Sequence, residues 1–368
     1  MTPDPPSTNW IGVDAGASKV AAGRVVLRAT GLEVAGRLAR VEFEGAFQPV
    51  PLERQREELA RGGADLARGA PEIGPREREE AARRVGLAAD AIAEAARDLP
   101  ARSVRVAVCW PGWTEPEGRG TVLARNGPRI PDLLDRLYAE LWRRGVLLAE
   151  SIRGVHSDGA AAAWGEQAAI GGALIGVRRA LVVGTGTGVF EALVEGGAGR
   201  IVAGRDLRDL VTPAWEMVDA SGRTLEDRAS MRGMNSAWRA VGLDCRLESA
   251  GRAGDGRARA VLRAGAVALG ELIASRLLAR TLVADMLLER VVVAGHAARL
   301  ATDRELAPFY LGPLEREVVR RVGEAHHART RGGEGPRVLR SAWLMLSRLA
   351  APAVVGVVAR DSGYVLRK

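Results

Sequence analysis

Asp158 opens the stretch of this chain whose residue types most directly suggest chemistry. It stands in His156-Ser157-Asp158-Gly159, ahead of an Ala-rich run that carries Trp164-Gly165-Glu166. An apolar run from Arg179 to Val183 follows and ends in Gly184-Thr185-Gly186-Thr187-Gly188. A Gly/Thr turn after a buried strand lets backbone amides approach an anion closely, because glycine has no side chain to block it. The Thr hydroxyls add donors. An acid at a helix start and a phosphate cradle so near in sequence point to phosphoryl transfer, in which a protein chiefly positions groups and offsets charge. The other reading of Asp158 is a helix cap with no chemistry.

A second turn, Asp14-Ala15-Gly16-Ala17-Ser18-Lys19, closes the apolar run that begins at Trp10. An acid at a strand end, then Gly, Ser and Lys, suits a metal-nucleotide phosphate site, with Asp14 in the outer shell of a hydrated Mg²⁺. Lys19 carries information of its own. The chain uses Arg throughout and Lys only at Lys19 and Lys368, and a compact ammonium is not interchangeable with a planar guanidinium. An exposed hairpin is the alternative for this turn.

The elements that must position these groups alternate between strand and helix. Asn9 to Asp14, Val20 to Leu27 and Leu32 to Phe43 read as a three-strand meander. Residues 48–74 read as a short helix in a charged, Pro- and Gly-bearing insertion, either a lid or a solvated excursion. Arg76 to Asp98 reads as an amphipathic helix, Ser103 to Trp110 as a buried strand ending in Pro111-Gly112, and Thr121 to Asn126 as a short strand. Asp132 to Arg144 reads as a helix. After Gly188 come a β-ribbon to Ala203, a helical region opening at Pro213 with Glu216 and Asp219 on one face, and one or two long helices over Ala258 to Leu288. A strand from Arg290 to Gly295 follows. Then come a polar loop with His326 and His327, a strand over Arg337 to Leu344, and a last helix over Ala350 to Arg360. This order predicts an α/β fold.

The 368 residues are 47% hydrophobic, enough for a sizeable core and two domains. The formal charge of +8 reflects Arg scattered among Glu and Asp, which does not make a nucleic-acid footprint. No apolar run reaches membrane-spanning length, and the first residues lack the apolar core of a signal peptide. Cys109 and Cys245 are far apart and lack metal spacing, so the expectation is a reducing cytoplasmic setting and no cysteine-built zinc site.

Taken together, these motifs resemble the ROK family (repressor, open reading frame, kinase) of the actin-like ATPase superfold, over nearly the whole chain. The Asp14–Lys19 turn resembles the family's first phosphate motif, and Gly184–Gly188 its second. Val108-Cys109-Trp110-Pro111-Gly112 resembles the apolar strand that ends in Pro-Gly. Asn126 falls where the family places a sugar-contacting Asn. Ser157-Asp158 resembles its Asn-Asp pair, whose Asp is the general base. Val291–Gly295 resembles the adenosine-side strand and turn, with His296 where a second Gly is usual. The family's Glu-x-Gly-His is similar to Glu216-Met217-Val218-Asp219, with Asp replacing a His that ligates zinc. The cysteine-rich zinc loop is absent, and the chain passes directly to Leu225-Glu226.

The resemblance implies a two-lobed actin-like ATPase (ribonuclease H-like) fold with mixed sheets flanked by helices. The small lobe would span 1–145, with the 48–75 insertion, and be rejoined by a C-terminal helix within 346–368; the large lobe would span 146–345. It implies an ATP- and Mg²⁺-dependent kinase of a sugar or sugar-like polyol, on a zinc-free branch, with Asp158 as base. Asp14, Gly16, Ser18, Lys19, Gly184, Thr185, Gly186, Thr187 and Gly295 would face the nucleotide, and Asn126, Glu216, Asp219 and Glu226 the substrate. A homodimer is a further implication. The first phosphate motif lies so near residue 1 that a helix-turn-helix ahead of it is not expected. The rival readings are a nucleotide-binding ROK-like regulator without kinase activity and a polyphosphate-using glucokinase. A related activator ATPase with an iron–sulfur cluster needs clustered cysteines, which this chain lacks.

Overall fold

The computed structural model describes residues 9–43, 47–61, 73–99, 103–115, 117–195, 200–242, 245–284, 288–329, 344–349 and 351–362. The chain divides into two compact units. One takes in 1–175 and 349–368, the other 176–348. The crossing at Ile175/Gly176 lies downstream of the boundary expected after residue 145, because the segments that follow residue 145 pair with the first sheet.

In the first unit, β1 (Trp10–Ala15), β2 (Lys19–Arg28) and β3 (Gly31–Glu42) form an antiparallel meander. Helices α1 (Leu52–Arg61) and α2 (Pro75–Ala95) lead to β4 (Ser103–Cys109), which lies parallel to β1. A small ribbon of β5 (Trp113–Thr114) and β6 (Thr121–Leu123) precedes α3 (Leu133–Arg143). Two short strands, β7 (Leu147–Leu148) and β8 (Val155–His156), then run parallel to β4 and lead into α4 (Asp158–Ala168). β1 and β4 are covered on both faces, so they read as continuous apolar runs rather than as alternating ones. On one face α2 lays down Ala81, Val85, Ala88 and Ile92, spaced by three and four, against Ile11, Val13, Val104 and Val106. On the other lie α4 and the C-terminal helix (Pro352–Ser362), with Ala161, Val354 and Val357 packed around Ala107 and Cys109.

That second layer is unusually thin, for a reason written in small residues. A Cβ on Gly165 would stand 1.9 Å from the Pro352 carbonyl oxygen, and one on Gly356 would stand 1.8 Å from the Ala161 carbonyl oxygen. Backbone meets backbone where α4 crosses the C-terminal helix, and the alanines beside it allow that approach. Gly356→Val is therefore expected to destabilise the protein by about 3 kcal/mol or more, since neither backbone can yield. A denaturant titration showing less than about 1 kcal/mol would contradict this packing.

The second unit repeats the plan. β9 (Ala180–Thr185), β10 (Val189–Glu195) and β11 (Arg200–Ala203) form a meander, while β12 (Arg290–Ala294) lies parallel to β9 and β13 (Leu344–Leu346) parallel to β12. Its sheet order, β11-β10-β9-β12-β13, mirrors β3-β2-β1-β4-β7 of the first. The two candidate phosphate turns are thus equivalent hairpins, β1–β2 and β9–β10. Helices α5 (Gly204–Arg208), α6 (Leu225–Ala229), α7 (Met231–Arg239), α8 (Leu247–Arg252), α9 (Gly256–Ala284), α10 (Gly295–Thr302) and α11 (Ala307–Arg329) complete it. Leu262, Leu269 and Leu272 of α9 share a core with Leu181, Val183 and Val293 of the sheet and Tyr310, Leu314 and Val318 of α11.

Several expected elements differ. No helix opens at Pro213. The amides of Glu216 and Met217 both bond back to the Pro213 carbonyl, and the chain then turns through Asp219. Residues 325–329, expected in a loop with His326 and His327, continue α11. The strand expected over 337–344 is seen as Leu344–Leu346, residues 337–343 lying outside those described. Within the insertion, α1 is anchored rather than a solvated excursion, because its Gln55 is fully buried.

Candidate active site

In the first unit, the parallel register brings three strand ends together. Asp14 lies opposite Cys109, and Cys109 opposite His156. Asp158 follows two residues later as the first residue of α4. The Cys109 thiol donates to Asp14 Oδ1 across 3.5 Å. Burial pushes that thiol well up, and the Asp14 and Asp158 charges push it the same way. The Cys109 thiol thus sits within the field of both carboxylates. Ser157, not Asp158, provides the cap of α4, its hydroxyl accepting from the Ala160 amide at 3.2 Å. Asp158 Oδ1 accepts from the amide of Gly159 at 2.8 Å. The strand end before it is fixed by His156, whose Nε2 meets Asp361 Oδ1 of the C-terminal helix at 2.8 Å. Glu166, fully buried, accepts from the Ala173 amide and so holds the chain just after α4.

The first candidate phosphate turn is closed by the Gly16 amide bonding to the Lys19 carbonyl at 2.7 Å, with Ser18 held to Phe43. Burial raises the Asp14 pKa above its ordinary 3.8, against the lowering effects of the Cys109 bond and the Lys19 and Arg40 charges. A raised carboxyl favours the folded state while protonated, so this contribution is present in acid and is lost as pH rises through the folded-state pKa. Asp14→Asn is expected to raise the melting temperature at neutral pH without divalent cations, and to give no gain below pH 3.8. A melting temperature unchanged or lowered at neutral pH would count against a desolvated Asp14 carboxyl.

In the second unit, Thr185 is buried at the end of β9, and the Gly186 amide bonds to the Gly188 carbonyl at 2.8 Å. No heavy atom lies within 4 Å of where a Cβ on Gly186 would stand, so the turn shows bare backbone there. Gly184 has a packing role instead, since a Cβ on it would stand 2.2 Å from the Phe190 ring. Gly295 takes φ +65°, with its Cβ position 2.7 Å from the Thr185 carbonyl oxygen, so a left-handed, side-chain-free residue closes β12 onto the Thr185–Gly188 turn. The Met231 amide bonds to the Gly186 carbonyl, tying α7 to the same turn. Tyr310 faces Thr185 from behind, and burial raises its phenol.

Beyond Gly295, a cavity of about 450 Å³ is lined by His296, Glu248, Arg246, Arg252, Arg299 and their neighbours. Arg299 donates to His296 Nδ1 at 2.9 Å, which leaves Nε2 to donate to Glu248 at 2.9 Å. The hydrogen bond from His296 holds the Glu248 carboxyl below its ordinary range. The side chain that replaces the expected second Gly is therefore locked into the cavity wall. Glu248 and the arginines were not legible beforehand, because nothing in an Arg-rich sequence marks these over others.

The acids expected on the substrate side gather around one short pairing. Val218 bridges Thr224, the Leu225 amide bonds to Met217, and the Glu226 amide bonds to Ala214. Glu226 is buried, and Glu216 meets Arg208 at 3.2 Å. Asp219 serves its own turn. Its Oδ1 accepts from the Ser221 amide and hydroxyl and from the Arg223 amide, and Oδ2 faces Arg228 at 3.3 Å. The Ser221 hydroxyl holds its carboxyl below the usual range. Behind this segment, buried Arg276 of α9 makes a two-pronged pair with Glu191 at 2.6 and 2.9 Å and donates to the Thr212 carbonyl at 2.7 Å. Asn126 belongs to the other unit, on the loop after β6. Among the described residues no group of three or more His, Cys, Asp or Glu could hold a metal ion, and no helix is long and apolar enough to cross a membrane.

No family model matches the chain. No curated protein matches it either. Solved structures do. A ROK family glucokinase from Streptomyces griseus, in complex with glucose and AMPPNP, superposes with a TM-score of 0.57 at 19% identity, covering 96% of this chain and 99% of that one. An inorganic polyphosphate/ATP-glucomannokinase from Arthrobacter sp. strain KM gives 0.54 at 18%, covering 96% and 98%. A ROK family transcriptional regulator, a homologue of the E. coli MLC protein, gives 0.52 at 13%, covering 96% and 77%. The chain has the fold of these ROK structures, the actin-like ATPase fold of mixed sheets flanked by helices. That fold carries both kinases and a regulator, so activity must be argued from the site.

Proposed function

We propose that this chain is an ATP-dependent kinase of the ROK family that phosphorylates a hydroxyl of a sugar or sugar-like polyol. The observation that carries this reading is the β1–β4–β8 register, which sets Asp14 and Asp158 on either side of Cys109 at three parallel strand ends. In this reading Asp158 accepts the proton of the attacking hydroxyl. It stands on the first turn of a helix whose cap is supplied by Ser157, so the helix start does not depend on its carboxylate for that cap. The bare backbone of the Gly184–Gly188 turn holds phosphate oxygens, and Lys19 offsets charge on the transferred phosphoryl group. Mg²⁺, when bound, neutralises phosphate charge. Asp14 is the carboxylate suited to its outer shell. A single carboxylate would fit that role, because Mg²⁺ gives up its waters reluctantly and an outer-shell acid would bond to those waters. Glu216, Glu226 and Asn126 orient acceptor hydroxyls, while Asp219 acts through the turn it closes. The Gly295 turn and the adjoining cavity suit a nucleoside. The chain's working setting in this reading is the cytoplasm, and zinc has no part in it.

The test is formation of phosphorylated acceptor across a panel of sugars and polyols with Mg²⁺, run with ATP and with polyphosphate as donors. Turnover of one acceptor with ATP supports the proposal. Turnover with polyphosphate alone changes the donor. Nucleotide binding with no acceptor-dependent turnover would transfer the reading to a regulator.

A further inference from the structure

The insertion that carries α1 does something specific to the loop that carries Asn126. Gln55, fully buried on α1, treats Ala124 as a neighbouring strand would. Its Nε2 donates to the Ala124 carbonyl at 2.9 Å, its Oε1 accepts from the Ala124 amide at 2.9 Å, and Nε2 also donates to Val50 at 2.6 Å. Five residues on, the other end of the loop is held as firmly. Arg129, 1% exposed, donates to Glu58 of α1 at 2.6 Å and through Nε and Nη2 to Glu77 of α2 at 3.1 and 2.8 Å. The Arg129 amide also bonds Glu77. Between these anchors lie only Arg125, Asn126, Gly127 and Pro128.

The middle of the loop meets a third buried group. A Cβ on Gly127 would stand 2.8 Å from Arg84 Nη1. That same nitrogen donates to the Ala17 carbonyl, inside the first phosphate turn, at 2.9 Å. Arg84 is itself oriented, by Glu80 at 2.7 Å through Nε and by the Phe43 ring 4.8 Å beneath its guanidinium. One guanidinium therefore touches both the loop of Asn126 and the turn of Asp14 and Lys19.

We propose that α1 and α2 act as a clamp that sets the acceptor loop 124–129 against the first phosphate turn, with Gln55 and Arg84 as positioning residues. The proposal rests on the kinase reading for its consequence in catalysis, and on geometry alone for the clamp. Apart from Val50 of its own segment, Gln55 bonds the acceptor loop, so its loss acts on acceptor binding. Arg84 serves both segments, so its loss acts on acceptor and donor together. A clamp of this kind matters because displacing a binding group by about 1 Å can cost up to about 100-fold in rate.

The experiment compares Gln55→Met, Glu58→Gln and Arg84→Met with wild type by local hydrogen exchange and by steady-state kinetics. Gln55→Met is expected to speed exchange of the Ala124 amide at least about 10-fold while the β4 amides stay as in wild type. It is also expected to raise acceptor KM about 10-fold with donor KM within about twofold. Arg84→Met is expected to raise both KM values and to lower kcat. Glu58→Gln, at a partly exposed position, gives a milder version of the Gln55 result and a readout if Gln55→Met fails to fold. Faster unfolding of the whole unit, with Ala124 exchange and acceptor KM unchanged in the folded protein, would overturn the clamp. If wild type turns over no acceptor, the kinase reading fails, and the exchange of Ala124 still decides the clamp.

Discussion

Asp158→Asn is expected to lower acceptor-dependent turnover by about 10²- to 10⁴-fold, the usual worth of a positioned base. Nucleotide affinity is expected to stay within about twofold, because the substitution removes a proton acceptor and not a phosphate donor group. Asn is the informative replacement. Its carbonyl can still accept from the Gly159 amide as Asp158 Oδ1 does, and Ser157 keeps the cap of α4. Asn also caps helices as well as Asp does. The loss of a negative charge at the helix start costs only about 0.3–1 kcal/mol. An Asp158 that served only the helix would therefore tolerate Asn with full activity, and that result would remove it from the mechanism.

Arg276→Ala is expected to have the largest effect on stability, about 3–5 kcal/mol, because it leaves Glu191 buried and uncompensated. The pair is nearly sealed, the Arg276 side chain being 3% exposed and that of Glu191 7%. The Thr212 carbonyl loses its donor as well. Since Thr212 leads into the segment of Glu216 and Asp219, loosening there should also weaken acceptor binding. The double variant Arg276→Met with Glu191→Leu should recover most of the stability, because a well-packed apolar pair replaces a buried ion pair at little net cost. Denaturant midpoints of the two variants check this. A single variant that loses less than about 1 kcal/mol would show that water reaches the pair.

Both predictions rest on residues of very different legibility. Asp158 could be read from the chain, because a carboxylate at a helix start shortly before a Gly/Thr turn is a local pattern. Arg276 could not. It lies in a sequence full of arginines, and only the burial and the partner across from it distinguish it. The same holds for Arg84 and Arg129, and for Gln55, whose surroundings in sequence are those of an ordinary polar helix.

The hairpin turns at Asp14–Lys19 and Gly184–Gly188, the buried strands and the long helices were set by local features. Apolar periodicity, glycine and capping residues act over a few residues, so a sequence displays them directly. The order of those elements gave the α/β class, and the ROK resemblance rested on the motifs they carry. Where locality failed, the readings failed. The region opening at Pro213 has acids at helical spacing, yet folds as turns held by Asp219 and by pairing with residues 224–226. The charge of residues 48–74 suggested a lid or a solvated excursion, yet Gln55 in that stretch is buried against a loop some seventy positions away.

The sequence by itself thus determined which short segments could cradle phosphate and offer a base, since those properties belong to residue type and immediate neighbours. Only the tertiary structure decided which charged side chains are buried and paired, that Asp14 and Asp158 flank one thiol, and that the loop carrying Asn126 is held at both ends by α1. Strand register and burial are set by contacts between distant segments, and the free energy of a charge depends on those contacts and not on its place in the chain.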